Sequence, residues 1–156
     1  MNPKFTEKQR FTQWWFWAIL LAIGSIFIYG IYKQVILGTT FGDKPMSNVG
    51  LLISTLAYLI LTLFFLSLKL VTKIDERGIR YYFFPFIKKE VKWTEIKKAE
   101  VLTYDFVGWG IRLSSKYGNV YNIKGNKGLA IELINGEKIL IGTQKQEEIK
   151  GHIKTS

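Results

Sequence analysis

Two uninterrupted apolar runs open the chain, and an alternating pattern closes it. From Trp14 to Tyr32 nineteen residues pass without a formal charge, and from Val49 to Leu68 twenty more do so. At about 1.5 Å rise per residue, roughly twenty apolar residues span the ~30 Å hydrocarbon layer, so each run predicts a membrane-crossing helix. A chain of 156 residues has too little other protein to cover two such helices on every side. The first run is too long for the apolar region of a cleaved signal peptide, and no small-residue cleavage site follows it. Trp14, Trp15 and Trp17 at one end and Tyr29 and Tyr32 at the other match the aromatic belts of a retained anchor. Residues 1–71 therefore read as a helical hairpin, with spans at 14–36 and 49–70 and a loop at 37–48 marked by Gly38, Gly42 and Pro45. The small pair Ala18 and Ala22 would let the two helices approach.

From Val71 the period shortens. Residues 78–86, 88–93, 99–105, 110–115 and 119–125 are short runs rich in aromatic and β-branched residues, interrupted by Pro85 and by recurrent glycines. Residues 129–142 form the clearest hairpin, because Asn135-Gly136 is the preferred pair for a two-residue type I′ turn. Ile111 and Leu113 alternate with Arg112 and Ser114, so the aliphatic pair is expected to face the core. Trp109 has the same parity and is expected there too. Gly108 and Gly110 would leave space beside Arg112 at a strand entrance that sets the sheet's curvature. Thr143 stands three residues before Gln146, a capping-box spacing that predicts a helix over 144–154, with Ile149 and Ile153 on one face. Residues 72–156 thus read as a small antiparallel β-barrel or sandwich of about seven strands with a C-terminal capping helix, making the whole an α+β membrane protein.

Charge adds an orientation. The chain nets +10, and residues flanking the chain-end side of the spans (Lys4, Lys8, Arg10, Lys69, Lys73, Arg77, Arg80) outnumber those on the loop side (Lys33, Lys44). An excess of cations marks the cytoplasmic side, which places both termini in the cytoplasm.

Composition also removes several kinds of chemistry. With no cysteine and a single histidine, His152, neither thiolate catalysis nor a Cys- or His-based metal centre can be built. Gly108 and Gly110 lead into a strand rather than a helix N-terminus, and no phosphate-loop spacing follows, so no nucleotide cofactor is expected. The basic residues of 72–156 are dispersed with no arginine-rich run, which argues for attraction to anionic lipid rather than to nucleic acid. Ser114, Ser115, His152, Asp105, Glu132 and Glu137 show no convergence of nucleophile, base and orienter, so no enzymatic activity is expected.

Two apolar helices, a run of about seven strands and a terminal helix resemble the bacterial pleckstrin-homology-like (PH-like) membrane proteins. Within that group the chain is similar to a family of small, uncharacterised two-helix members. The resemblance is carried by residues 72–86 (TKIDERGIRYYFFPF), 91–96 (VKWTEI), 108–112 (GWGIR) and 134–149 (INGEKILIGTQKQEEI). It implies a partly open seven-stranded barrel closed at one end by the helix, at the cytoplasmic face of a bacterial plasma membrane. It brings no catalytic residues, because the fold serves lipid, peptide and protein binding.

The expected role is a non-catalytic binding or scaffold module, embedded in the bilayer and engaging a protein partner or a second copy. The alternatives are an anionic lipid headgroup or membership of a membrane transport complex. The candidate contacts are Arg112, with five donors; the aromatic tip Phe83, Phe84 and Phe86; and Lys88 and Lys92, which strand alternation puts on one face opposite Val91.

Overall fold

The computed structural model describes residues 4–105 and 108–153. Its elements, in chain order, are β1 (Phe5–Arg10), α1 (Trp14–Ile31) continued by a π-turn (Tyr32–Ile36), α2 (Asn48–Ser67), β2 (Lys69–Ile74), β3 (Gly78–Phe84), β4 (Ile87–Lys92), a 3-10 turn (Trp93–Glu95), β5 (Ile96–Thr103), β6 (Gly110–Ser114), β7 (Gly118–Asn122), β8 (Lys127–Leu133), β9 (Lys138–Gly142) and α3 (Gln146–Lys150). They form two compact units. Thr12–Leu66 is one; the N-terminal strand and everything from Ser67 onward make the other. The boundary expected at 71/72 therefore leaves out β1 and the start of β2.

The helical unit is apolar on all sides, and both helices are long enough to cross a membrane. Leu21 and Leu63 on these helices are about two-thirds exposed. What holds the helices together is a seam around Tyr58. Its hydroxyl donates to the Leu20 carbonyl, and its ring stacks on Phe27 at 5.3 Å between centroids. Gly24 makes room: a Cβ there would lie 2.9 Å from the Tyr58 hydroxyl. Phe16 and Phe65 close the seam edge to face at 4.9 Å. The expected Ala18/Ala22 contact is not used, and both residues are exposed. The seam follows the aromatic side chains, which need a glycine opposite them.

The second unit is two stacked sheets. One has order β1-β2-β3-β4 and is antiparallel throughout; the other has order β5-β8-β9-β7-β6, in which β7 and β9 run parallel. Neither closes into a barrel, because the edge strands β1, β4, β5 and β6 do not pair across the gap. Inner-face rows such as Phe5–Ile74–Ile79–Val91 and Leu70–Phe83 meet Leu129, Ile131, Ile139 and Ile141, all of them buried. Tyr81 packs on Tyr121 at 4.9 Å between the sheets. Each such side chain contributes about 1.5–3 kcal/mol by leaving water. On the far face of the larger sheet Tyr104, Val120 and Leu140 form a smaller cluster, which Leu102, Tyr117 and Ala130 border.

Several local expectations need correction. Leu68 and Leu70, counted in the second span, are buried in the β-unit, where Leu70 pairs with Phe83. Asn135 does not have a positive φ, which a type I′ turn requires, whereas Gly136 has φ +86. Bonds from Gly136 N to Leu133 O and from Leu133 N to Glu137 O instead make a three-residue loop with glycine in the left-handed position. Thr143 caps no helix. Its hydroxyl donates to Glu7 at 2.6 Å and accepts from the Lys145 N–H at 3.0 Å, and α3 is only Gln146–Lys150. Ile149 alone anchors that helix in the core.

β6 departs furthest from expectation. Ile111 and Leu113 face solvent, with Leu113 84% exposed, and Trp109 is only half-buried in the preceding loop. β6 is the outermost strand of its sheet, so its aliphatic pair lies at an edge, whereas Ile139 and Ile141 lie on the central strand β9.

A candidate anion-binding face

The outer face of the four-stranded sheet is built from a period-two repeat of basic residues in four separate strands. Register places Arg10, Lys69 and Phe84 in one row, Lys8, Val71, Tyr82 and Lys88 in the next, and Thr6, Lys73, Arg80 and Glu90 in the third. Side chains alternate across a sheet, so these residues share one face while their neighbours fill the core. Lys92, opposite Gly78, extends the face. Seven cations (Lys8, Arg10, Lys69, Lys73, Arg80, Lys88 and Lys92) stand against one carboxylate of the same face, Glu90. Between them runs a shallow groove of about 690 Å³ with Val71 and Tyr82 among its lining residues and Lys8, Lys73 and Lys88 contributing amines.

Arg80 is the fixed point of this face. The Ile74–Gly78 connection folds around Asp75, whose buried carboxylate accepts the Arg77 N–H at 2.9 Å and the Gly78 N–H at 3.3 Å and pairs with the Arg80 guanidinium. Gly78 is required there, because a Cβ would overlap the Val91 carbonyl. Trp93 Nε1 donates to the Asp75 carbonyl at 2.9 Å and closes the turn from the other side. The guanidinium is thereby held at one orientation, and its covered Nε has no hydrogen-bond partner among the described residues. Along the first row the Lys69 ammonium lies 4.9 Å from the centre of the Phe84 ring, which meets Tyr82 edge to face.

The backbone N–H of Arg77 most of all, with the Arg80 cation adding to it, holds the Asp75 carboxyl below the usual carboxylate range despite its burial. A group whose pKa is lower folded than unfolded stabilises the fold above the unfolded value and loses that contribution as pH falls through the folded value. The thermal stability of the full chain should therefore fall on acidification below about pH 4. An Asp75→Asn variant should start lower at neutral pH and show a shallower acid slope; parallel curves would contradict the assignment.

The anticipated contact residues are scattered. Lys88 and Lys92 do share the basic face, with Val91 turned to the core. Phe83 is buried, Phe84 lies on the basic face, and Phe86 is exposed in the β3–β4 turn. The three do not form one tip. Arg112 lies on β6 of the other sheet, where its Nε donates to the Trp109 carbonyl at 3.3 Å. Gly108 (φ +88) provides a seat under that guanidinium, and Gly110 (φ +93) starts the strand. Asn122 ties this loop to its neighbour by donating to the carbonyls of Gly108 and Gly125. Lys8, Lys69 and Lys73, far from Arg80, Lys88 and Lys92 in the sequence or on another strand, join them on this face. The signal was their common parity once the strands are paired.

The described residues contain no group of three His, Cys, Asp or Glu side chains placed to hold a metal ion. The buried phenol of Tyr104 is pushed up to about 12 by desolvation and stays protonated at neutral pH. No protein-family model, characterised protein or solved structure matches the chain.

Proposed function

We propose that this chain is a non-catalytic binding module, anchored by its apolar hairpin in a bacterial plasma membrane with both termini in the cytoplasm, and that the outer face of the four-stranded sheet takes an anionic partner. The observation that carries this reading is the separation of charge on that face. Lys8, Lys73 and Lys88 have no acidic partner among the described residues, whereas Lys97, Lys98, Lys145 and Lys150 elsewhere are each paired with a glutamate. Unneutralised cations gathered over one groove raise the local anion concentration and steer association. The two-sheet arrangement with a C-terminal helix also supports kinship with PH-like membrane proteins, in an open rather than a barrelled form.

The test is retention of the full chain, in detergent micelles, on an immobilised polyanion. Neutralising Lys8, Lys73 and Lys88 to glutamine should release it at markedly lower salt. The same change at Lys98, Lys127 and Lys150 should have a far smaller effect. Equal effects from the two sets would reduce the face to undifferentiated surface charge.

A second reading, capture of an extended protein segment or a second copy along β6, is supported by the exposure of Ile111 and Leu113 on an unpaired strand edge. It predicts that Leu113→Lys abolishes co-purification of a partner and leaves polyanion retention unchanged.

A further inference from the structure

We infer that the anion taken by the basic face is the phosphate of anionic lipid headgroups in the same membrane layer that holds the hairpin, with Arg80 as the group that fixes the phosphate. This rests on the anion-binding reading above and names its partner.

Position in the chain is the first argument. Arg10 and Lys69, which pair across β1 and β2, are separated from the apolar helices by only residues 11–13 on one side and residue 68 on the other. A chain spans at most about 3.5 Å per residue, so a few residues keep this row within the reach of the headgroup layer next to the spans. The short connections keep the row within reach of that layer without any diffusional search. A soluble acidic protein would have to compete with it.

The chemistry of the groove is the second argument. A lysine-lined plane alone would give only diffuse attraction, worth about 1 kcal/mol per cation near an anionic bilayer. Arg80 adds geometry. Asp75 occupies one part of the guanidinium and fixes its plane, while the side chain stays 42% exposed and lines the groove. Guanidinium groups bind phosphate oxygens through parallel N–H bonds, which a lysine cannot reproduce. Lys73 neighbours Arg80 across the β2–β3 pair, and Lys8 and Lys88 flank the adjacent row. Tyr82 and Val71 provide an apolar floor for the glycerol carbons. Glu90, next to Arg80 in register, is an opposing charge in addition to Asp75 and limits how strongly the groove holds an anion.

The experiment follows amine labelling of Lys8 and Lys88 by mass spectrometry on the full chain in lipid nanodiscs. Discs of phosphatidylcholine alone are compared with discs that also contain phosphatidylglycerol, and two further arms add inorganic phosphate or polyglutamate to the phosphatidylcholine discs. Labelling should slow in the anionic discs and hardly change with inorganic phosphate. Lys73→Gln should weaken that protection about fivefold, the equivalent of one well-placed cation. Arg80→Gln should weaken it at least as much, and Arg80→Lys, which keeps the charge and tests for misfolding, should fail to restore it. Glu90→Gln should strengthen it, and Lys98→Gln should leave it unchanged.

Protection by inorganic phosphate equal to that in anionic discs would replace the lipid by a soluble anion. Protection only by polyglutamate would replace it by an acidic protein segment. Either result overturns the lipid assignment and leaves the anion-binding face standing. Labelling that is unchanged in every arm would overturn both.

Discussion

Replacing Gly118 with alanine should destabilise the β-unit by about 3 kcal/mol, the largest effect expected of any single methyl group in the chain. Gly118 opens β7 at φ +68, a conformation that costs an L-residue about 1–2 kcal/mol. In addition, a Cβ there would overlap the Lys138 carbonyl oxygen and lie 2.7 Å from the carbonyl carbon. That carbonyl belongs to the first residue of β9, whose parallel pairing with β7 begins one residue on, at Asn119↔Ile139. The added methyl cannot be relieved by rotating a side chain, since the obstacle is backbone. Relief must come from shifting β9, which carries the buried Ile139, Leu140 and Ile141. Urea unfolding of the full chain in micelles measures the cost. Gly136→Ala is the comparison: its φ is similar, but nothing lies within 4 Å of the added Cβ, so only the ~1 kcal/mol conformational cost applies. Equal losses in the two variants would show that steric overlap with β9 contributes nothing.

Glu7→Ala should cost about 2–3 kcal/mol and should act at the far end of the sequence. Glu7 is buried on the inner face of β1, where its two carboxylate oxygens accept the Thr143 hydroxyl at 2.6 Å and the Gln144 N–H at 2.7 Å. Its neighbour Gln9 donates to the Gly142 carbonyl at 2.6 Å. Together they fasten the N-terminal strand to the segment that leads into α3. Removing the carboxylate leaves two donors in a covered site, and an unsatisfied buried donor costs more than a made bond contributes. Hydrogen exchange at residues 144–150 should accelerate while exchange in β5 and β8 stays slow. Glu7→Gln, which keeps one acceptor, should recover part of the loss. Uniform acceleration across both sheets would mean that Glu7 serves overall stability and not this junction.

That junction also explains why the first strand was not legible in the sequence. Phe5, Glu7 and Gln9 alternate with Thr6, Lys8 and Arg10 as a strand should, but two of the three inward positions are polar. Their partners lie more than 130 residues away, so the reason those positions tolerate polar groups is invisible locally. The two long apolar helices were legible because each is a run of about twenty residues without a charge. The β3–β4 and β8–β9 hairpins were legible because alternation and turn residues act over short range. Edge and centre were not distinguishable. Ile111 and Leu113 follow the same alternation as Ile139 and Ile141, and only the strand order, set by non-local pairing, exposes one pair and buries the other. The basic face was half legible: Arg80, Lys88 and Lys92 lie close together in the sequence, with Lys88 and Lys92 on one face by parity, but joining them to Lys8, Lys69 and Lys73 required the register of four strands.

The pairing of Arg10 with Lys69 sets an order of events during synthesis. β1 is made first among the strands, yet it cannot be paired until β2 has been made, after both apolar helices. Through that interval the strand's inner edge, with Glu7 and Gln9, is without its partners at residues 142–144, which are made later still. The β-unit can be completed only by a chain whose two helices have already brought Lys69 back beside Arg10. A hairpin that failed to return would leave β1 stranded, so completion of the fold is itself a check on topology.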